Sequence, residues 1–227
     1  MEESKAFPNQ KQIIGSKTCG PDCLANIYAH FDKDLSLEKI LTDINAKIDE
    51  STYLPQLARH VRANGLTTTI LSSSPFNMSP DWKDLDRNIL IKNLKAWIIH
   101  NTANAWIKST LHLLNYLEEG GNVKTVDLST KIMDEKLAKG KIILCCLEES
   151  WLWGKRKMDN VAEYDSIRGA ARGHFVVIYG QKDDQYLISD PYPTNLPGKE
   201  GLYAISKDKL LVSVLVWNPE ILCVGKL

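Results

Sequence analysis

The chain has 227 residues, 44% of them hydrophobic and 25% charged, which is the composition of an ordinary globular protein. Its 28 basic and 28 acidic side chains give a formal net charge of zero. Without a basic excess, neither a nucleic acid nor a membrane surface is an expected partner.

The distribution of apolar residues and cysteines predicts a cytoplasmic protein. No run of the sequence approaches the roughly 18 apolar residues of a membrane helix, and the charged residues 1–5 are not followed by the hydrophobic core of a Sec signal peptide. Export as an effector stays open. The five cysteines are an odd number, and Cys145 and Cys146 are adjacent in an apolar run, which favours reduced thiols over a disulfide framework.

In chain order, the first predicted element is a helix that begins at Cys19. Pro21 is tolerated only in the first turn of a helix, and apolar residues then recur at helical spacing at Leu24, Ile27, Tyr28 and Phe31. At a helix N-terminus, unpaired N–H groups and the helix dipole favour a thiolate, the reactive form of cysteine. Cys19 is therefore a candidate nucleophile, although a cysteine that simply packs in the core fits the same pattern.

The rest of the first half is mostly helical. Apolar spacing and capping residues predict helices over residues 35–44 and 53–64 and a β-branched strand over residues 66–71. A helical hairpin is predicted for residues 76–120, and its tryptophans are interpreted as core residues.

The second half is mostly extended. Its predicted elements are a strand from Val123, a helix over 129–139, strands over 141–147, 174–180 and 186–190, a helix over 207–214 and a β-like end at 221–224. Helices gathered in the first half and strands in the second indicate an α+β chain with an antiparallel sheet.

A candidate histidine–aspartate pair lies in the last predicted hairpin. One strand starts at His174, the next ends at Asp190, and a polar turn centred near residues 182–183 separates them. Antiparallel pairing about that turn places Asp190 beside His174, close enough for the carboxylate to accept the imidazole N–H and fix its orientation. An ordinary strand end followed by an Asp-Pro turn is the alternative.

Together these residues resemble those of the bacteriocin-leader-processing cysteine peptidases, papain-like domains that cleave after double-glycine leaders, and of stand-alone proteins similar to them. The blocks that carry the resemblance are Thr18-Cys19-Gly20-Pro21, Gly173-His174-Phe175-Val176-Val177 and Ile188-Ser189-Asp190-Pro191. The resemblance implies a papain-like fold in a single domain, residues 1–227. Its helical lobe would span about 10–120, with a divergent insertion at about 76–120, and its sheet lobe about 121–227.

The resemblance also implies a Cys-His-Asp triad, with Cys19 as nucleophile, His174 as base and Asp190 as the orienting acid. The family's glutamine usually stands six positions before the cysteine, whereas Gln12 stands seven before it, so Gln12 or Gln10 would donate to the oxyanion. The expected activity is that of a cysteine peptidase or amidohydrolase with no cofactor or metal and a peptide or protein as substrate. The same triad also suits an acyltransferase, a degenerate domain would bind peptides without cleaving them, and Cys19 with Cys23 could form a metal or redox site.

A long loop over residues 148–172 completes the prediction, since structureless loops of that length are usually functional or mobile. If the segment is extended, Trp151 and Trp153 lie on one face, and we expect them to bind substrate as part of a flap beside His174. A structural plug that covers the core is the alternative interpretation.

Overall fold

The computed structural model describes residues 6–159 and 162–227. Helices are α1 (Cys19–His30), α2 (Leu37–Asp43), α3 (Leu54–Ala63), α4 (Arg87–His100), α5 (Ile107–Glu118), α6 (Thr130–Ala138), α7 (Glu149–Trp153) and α8 (Lys207–Leu215), with a 3-10 turn at Pro80–Trp82. Strands are β1 (Thr67–Ser72), β2 (Val123–Thr125), β3 (Ile142–Glu148), β4 (Gly173–Lys182), β5 (Gln185–Ser189), β6 (Leu202–Ser206) and β7 (Glu220–Gly225).

In the described part of the chain, the strands form one sheet in the order β2-β1-β7-β3-β4-β5-β6. The β1–β2 pair is parallel, and the other pairs are antiparallel. Because β1 comes from the mainly helical half and lies between β2 and β7, the sheet joins the two halves of the chain. The α+β fold class is confirmed, with a mixed rather than purely antiparallel sheet.

Each face of the sheet carries its own apolar core, because successive strand residues point to opposite faces. Leu144, Phe175 and Val177 pack on one face with residues of α1, α3 and α5. Cys145, Val176 and Ile178 pack on the other face with residues of α6, α7 and α8. Strand β4, which carries His174, is thus packed on both faces.

Most predicted elements are confirmed, including the helix that begins at Cys19 and the hairpin of α4 and α5, which pack against each other. Ser36 caps α2 by accepting a hydrogen bond from the Lys39 N–H at 3.2 Å. The prediction of a structureless loop over 148–172 is wrong, because the segment starts with α7 and continues with bridges from Lys157 to Tyr164 and to Ala170. No helix within the described ranges is long and apolar enough to cross a membrane.

Candidate active site

Cys19 is the first residue of α1, where local sequence starts the helix. The Thr18 hydroxyl donates to Asp22 Oδ2 at 2.7 Å, and the Asp22 N–H donates to the Thr18 carbonyl at 2.8 Å. Gly20 lets the helix start approach its neighbours, since a Cβ there would lie 2.6 Å from Thr52 Oγ1 and 2.8 Å from Leu57 Cδ1. The helix start therefore sits directly against α3 and the beginning of β4.

His174 and Asp190 form the predicted pair, with 2.7 Å between His174 Nε2 and Asp190 Oδ1. His174 is 3% exposed and Asp190 is fully buried. The contact is correct, but the predicted register is wrong, because the hairpin turns at residues 183–184 between Lys182 and Gln185. Asp183 has a φ of 54°, the left-handed conformation that two-residue hairpin turns require.

A β-bulge at Tyr179 decides which face Asp190 occupies. Near the turn, Gly180 pairs with Leu187, whereas beyond the bulge Val177 pairs with Ser189. Continued past Ser189, the observed register places Asp190 opposite Val176, on the same face as His174. Without the one-residue shift, Asp190 would oppose Val177 and point to the other face.

Asp190 accepts four hydrogen bonds, which explains how a carboxylate is held ionised inside the protein. Oδ1 accepts from His174 and from the Tyr192 N–H at 2.9 Å, and Oδ2 accepts from Trp153 Nε1 at 3.1 Å and from the Tyr203 hydroxyl at 2.8 Å. Burial, the largest influence, acts to raise the pKa of Asp190, but the charge and hydrogen bond of His174 and the other donors outweigh it and lower the pKa.

The same contact shifts the pKa of the imidazole in the opposite direction. Burial by itself lowers the pKa of His174, but the Asp190 carboxylate and the neighbouring Cys19 outweigh burial and raise the pKa. Since Nε2 is bound to Asp190, Nδ1 is the ring nitrogen left to face the thiol.

Cys19 and His174 line one cavity of about 450 Å³, together with Gln12. Its apolar wall contains Tyr53, Leu54, Trp106, Phe175 and Trp217, and its charged wall contains Glu149, Lys157, Asp159 and Arg172. A cavity of this volume lies in the range of sites that bind a small ligand or a few residues of a peptide. The structure thus brings the predicted cysteine, histidine, aspartate and glutamine to one place.

Gln12 is 5% exposed, and its side-chain amide is held by Ser16. Nε2 donates to the Ser16 carbonyl at 2.8 Å and lies 3.2 Å from Ser16 Oγ. Ser16 Oγ lies 2.8 Å from Thr18 Oγ1, so hydrogen bonds connect Gln12 to Asp22. Burial raises the pKa of Asp22 to about 6. The alternative donor, Gln10, is exposed and is not among the residues that line the cavity.

The two tryptophans predicted to bind substrate lie elsewhere. Trp153 is 5% exposed, and its ring packs 5.2 Å from the His174 ring, on the side of the histidine–aspartate pair. Trp151 is 52% exposed and lines a separate shallow pocket with Val216. Both are in α7, so the extended conformation that would place them on one face is wrong.

Sequence reasoning missed several residues of the site. Trp106 lines the cavity and stacks on Phe76 at 4.4 Å, although its helical spacing suggested a core position. Tyr203 and Glu149 lie outside the recognised motifs and reach the site only through the packing of β6 and α7. No local signal in the sequence marks either residue.

Cys23 is not arranged as a metal ligand. Its thiol is fully buried and donates to the Phe175 carbonyl at 3.3 Å, and burial raises its pKa well above the ordinary value. Within residues 6–159 and 162–227, no three histidine, cysteine, aspartate or glutamate side chains are placed to hold a metal ion.

No family model and no curated protein matches the sequence. Among solved structures, the chain is similar to the peptidase domain of Streptococcus ComA, a bifunctional ABC transporter involved in quorum sensing, with 12% identity and a TM-score of 0.47 over 98% of this chain and 100% of that one. It is also similar to a protein from Bacillus anthracis named as a C39-like peptidase, with 12% identity and a TM-score of 0.46 over 97% of this chain and 95% of that one. Both carry the name of a peptidase, the class of protein that the sequence resembles.

Proposed function

We propose that this protein is a cysteine peptidase or amidohydrolase that forms an acyl-enzyme at Cys19. One observation carries the proposal: a cysteine at a helix start lines the same cavity as a histidine whose Nε2 lies 2.7 Å from a fully buried aspartate. That arrangement activates a nucleophile in enzymes of many folds. The expected substrate is a peptide or protein in the cytoplasm.

In the proposed reaction, His174 Nδ1 takes the thiol proton, and the thiolate attacks the substrate carbonyl. Asp190 keeps the ring oriented and stabilises the imidazolium that results. His174 then gives its proton to the leaving amine, which leaves a thioester at Cys19. Water attacks the thioester in a hydrolase, whereas an acceptor amine in the same position would make the protein an acyltransferase.

The developing oxyanion would be held by the Cys19 backbone N–H and by Gln12. A backbone N–H in the first turn of a helix has no intrahelical acceptor and is free to donate to a ligand. To donate as well, the Gln12 amide has to direct one hydrogen away from Ser16. We therefore expect Gln12→Ala to lower kcat about 100-fold with little change in KM, and Gln10→Ala, the matched control, to leave both unchanged.

Labelling with iodoacetamide, mapped by mass spectrometry on the native protein, tests the proposal. We expect Cys19 to react far faster than the other four cysteines and His174→Ala to remove that advantage. Cys146 is the internal control because it lines the same cavity, while burial, followed by the charge of Cys19, raises the pKa of its thiol well above the ordinary value. Equal labelling of Cys19 and Cys146 would contradict the proposal.

A screen of peptide libraries with and without an added amine then separates hydrolysis from acyl transfer. Free carboxylate products alone indicate a hydrolase. Products that carry the added amine indicate an acyltransferase.

A further inference from the structure

The cavity walls contain buried polar atoms that have no partner among the described residues. They are Gln12 Oε1, Thr52 Oγ1, Glu149 Oε1 and Arg172 Nε, and all four residues line the cavity that holds Cys19 and His174. Buried polar atoms are nearly always hydrogen-bonded in native proteins. Their concentration around one cavity indicates a site built for a polar ligand.

Glu149 and Arg172 supply an acceptor and a donor side by side. The Glu149 N–H donates to the Arg172 carbonyl at 3.0 Å, which fixes the two residues as neighbours at the ends of β3 and β4. Glu149 is 2% exposed, so its unpartnered oxygen cannot be satisfied by bulk water. Arg172 Nε is likewise buried, and a guanidinium nitrogen can only donate.

The charges of this wall are already balanced within the protein. Lys157 Nζ lies 3.4 Å from Glu149 Oε2 and 4.0 Å from the centre of the Tyr192 ring. Arg172 Nη1 forms an ion pair with Asp159. A charged ligand would disturb two ion pairs, whereas an uncharged group with both an N–H and a carbonyl would satisfy the two unpartnered atoms and leave the pairs intact.

We propose that Glu149 and Arg172 form a subsite for an uncharged amide of the substrate. Glu149 Oε1 accepts the amide N–H, and Arg172 Nε donates to the amide carbonyl. The inference rests on the proposed function, because it describes what the cavity recognises beside the bond that Cys19 attacks.

A substrate can offer an uncharged amide in two ways, through its main chain or through a side chain. A main-chain residue in an extended peptide has its N–H and C=O on the same side, and a glutamine or asparagine side chain has both on one carboxamide. The test therefore varies the side chain and the main chain separately.

The probes are tripeptide vinyl sulfones with alanine at all positions except one. At that position, each of the three in turn, the residue is glutamine, norleucine, lysine, glutamate or N-methylalanine. The measured quantity is the second-order rate of Cys19 labelling. We expect one position at which a hydrogen-bonding amide gives about tenfold faster labelling than its mimic without that amide: glutamine over norleucine for a side-chain amide, or alanine over N-methylalanine for a main-chain amide.

Two conservative variants connect that preference to the wall. Arg172→Lys keeps the positive charge but removes the Nε donor, so the preference should disappear, while Arg168→Lys on the exposed part of the same segment should leave it unchanged. Glu149→Gln keeps the shape of the side chain but leaves the wall with a net positive charge. In this variant, the labelling rate of the glutamate probe should therefore rise about tenfold relative to that of the glutamine probe.

The outcomes are distinguishable from failure of the proposed function. If iodoacetamide selects Cys19 but all probes react at the same rate, the amide subsite is wrong and Cys19 is still the nucleophile. The same conclusion follows if the wild-type protein prefers the lysine or the glutamate probe. A preference that survives Arg172→Lys and Glu149→Gln also overturns the subsite. If iodoacetamide does not distinguish Cys19, the proposed function fails first.

Discussion

Two buried histidines of this protein are each paired with an aspartate, and the difference between them shows what makes one of them a candidate base. His174 Nε2 lies 2.7 Å from Asp190 Oδ1, and His60 Nε2 lies 3.3 Å from Asp43 Oδ2. The other ring nitrogen faces the Cys19 thiol in the first case and the Tyr28 hydroxyl, at 2.7 Å, in the second. In outline, both are nucleophile-histidine-acid arrangements.

The carboxylate partners account for the opposite pKa shifts of the two histidines. Asp190 is fully buried and accepts four hydrogen bonds, so its negative charge acts on His174 without screening by water. The side chain of Asp43 is 29% exposed and also binds Lys39. Burial lowers the pKa of His60 because Asp43 does not outweigh it, whereas Asp190 raises the pKa of His174. An imidazole next to an acid is thus not enough; the acid has to be shielded.

The largest expected effect follows removal of the group that faces each imidazole. Cys19→Ala should lower turnover of the best library peptide by of order 10⁶-fold, with an unchanged melting temperature. Tyr28→Phe should leave turnover unchanged and lower the free energy of unfolding by about 1 kcal/mol through the lost hydrogen bond. Steady-state kinetics measure the turnover of both variants, and thermal unfolding measures their stability. If the Cys19→Ala protein still cleaved the peptide at the wild-type rate, Cys19 would not be the nucleophile.

Removal of the negative charge from each aspartate should have the next largest effect. Asp190→Asn should lower kcat about 10⁴-fold, because the amide neither stabilises the imidazolium nor keeps the correct tautomer. Asp43→Asn should leave kcat unchanged. Equal activity of the Asp190→Asn and wild-type proteins, at limiting and saturating substrate, would withdraw Asp190 from the site.

Removal of one donor to Asp190 should have a smaller effect. Trp153→Phe and Tyr203→Phe each keep an aromatic ring but lose a hydrogen bond to Oδ2. We expect each to lower kcat about tenfold, equivalent to about 1.4 kcal/mol, with KM unchanged. A raised KM with normal kcat in Trp153→Phe would instead support the substrate-binding role that the sequence suggested for this residue.

The smallest effects concern proton binding. In an NMR titration, the His174 resonance should titrate well above pH 6.5 and the His60 resonance below it, and Asp190→Asn should lower only the first pKa. Above pH 6.5 the folded protein keeps a proton on His174 that the unfolded chain releases, so this contribution to stability is lost as the pH rises through the raised pKa of about 10.

His60 should act in the opposite direction. Below pH 6.5 the unfolded chain binds a proton that the folded protein accepts less readily, so stability is lost as the pH falls. Urea unfolding of a His60→Asn variant at several pH values should show a weaker loss at acid pH than the wild type. If the variant lost as much stability at acid pH as the wild type, His60 would not be the group responsible for the loss.

The sequence by itself determined the features that depend on neighbouring residues. The start of α1 at Cys19 follows from Pro21 in the first turn and from apolar residues at helical spacing, and both act locally. The end of β5 before Asp190-Pro191 and the position of His174 near the start of β4 are equally local. These signals were sufficient to predict the α+β class and to mark Cys19, His174 and Asp190 as candidate site residues.

Only the tertiary structure decided which surfaces these residues face. The bulge at Tyr179 determines which face of the sheet Asp190 occupies. No residue of that strand predicts the bulge, because a bulge depends on how two strands pair. Trp153 became a donor to Asp190 because α7 packs on the sheet. The cavity wall joins Thr52, Glu149 and Trp217, which are far apart in the chain, and such contacts are set by packing between elements and not by local propensity.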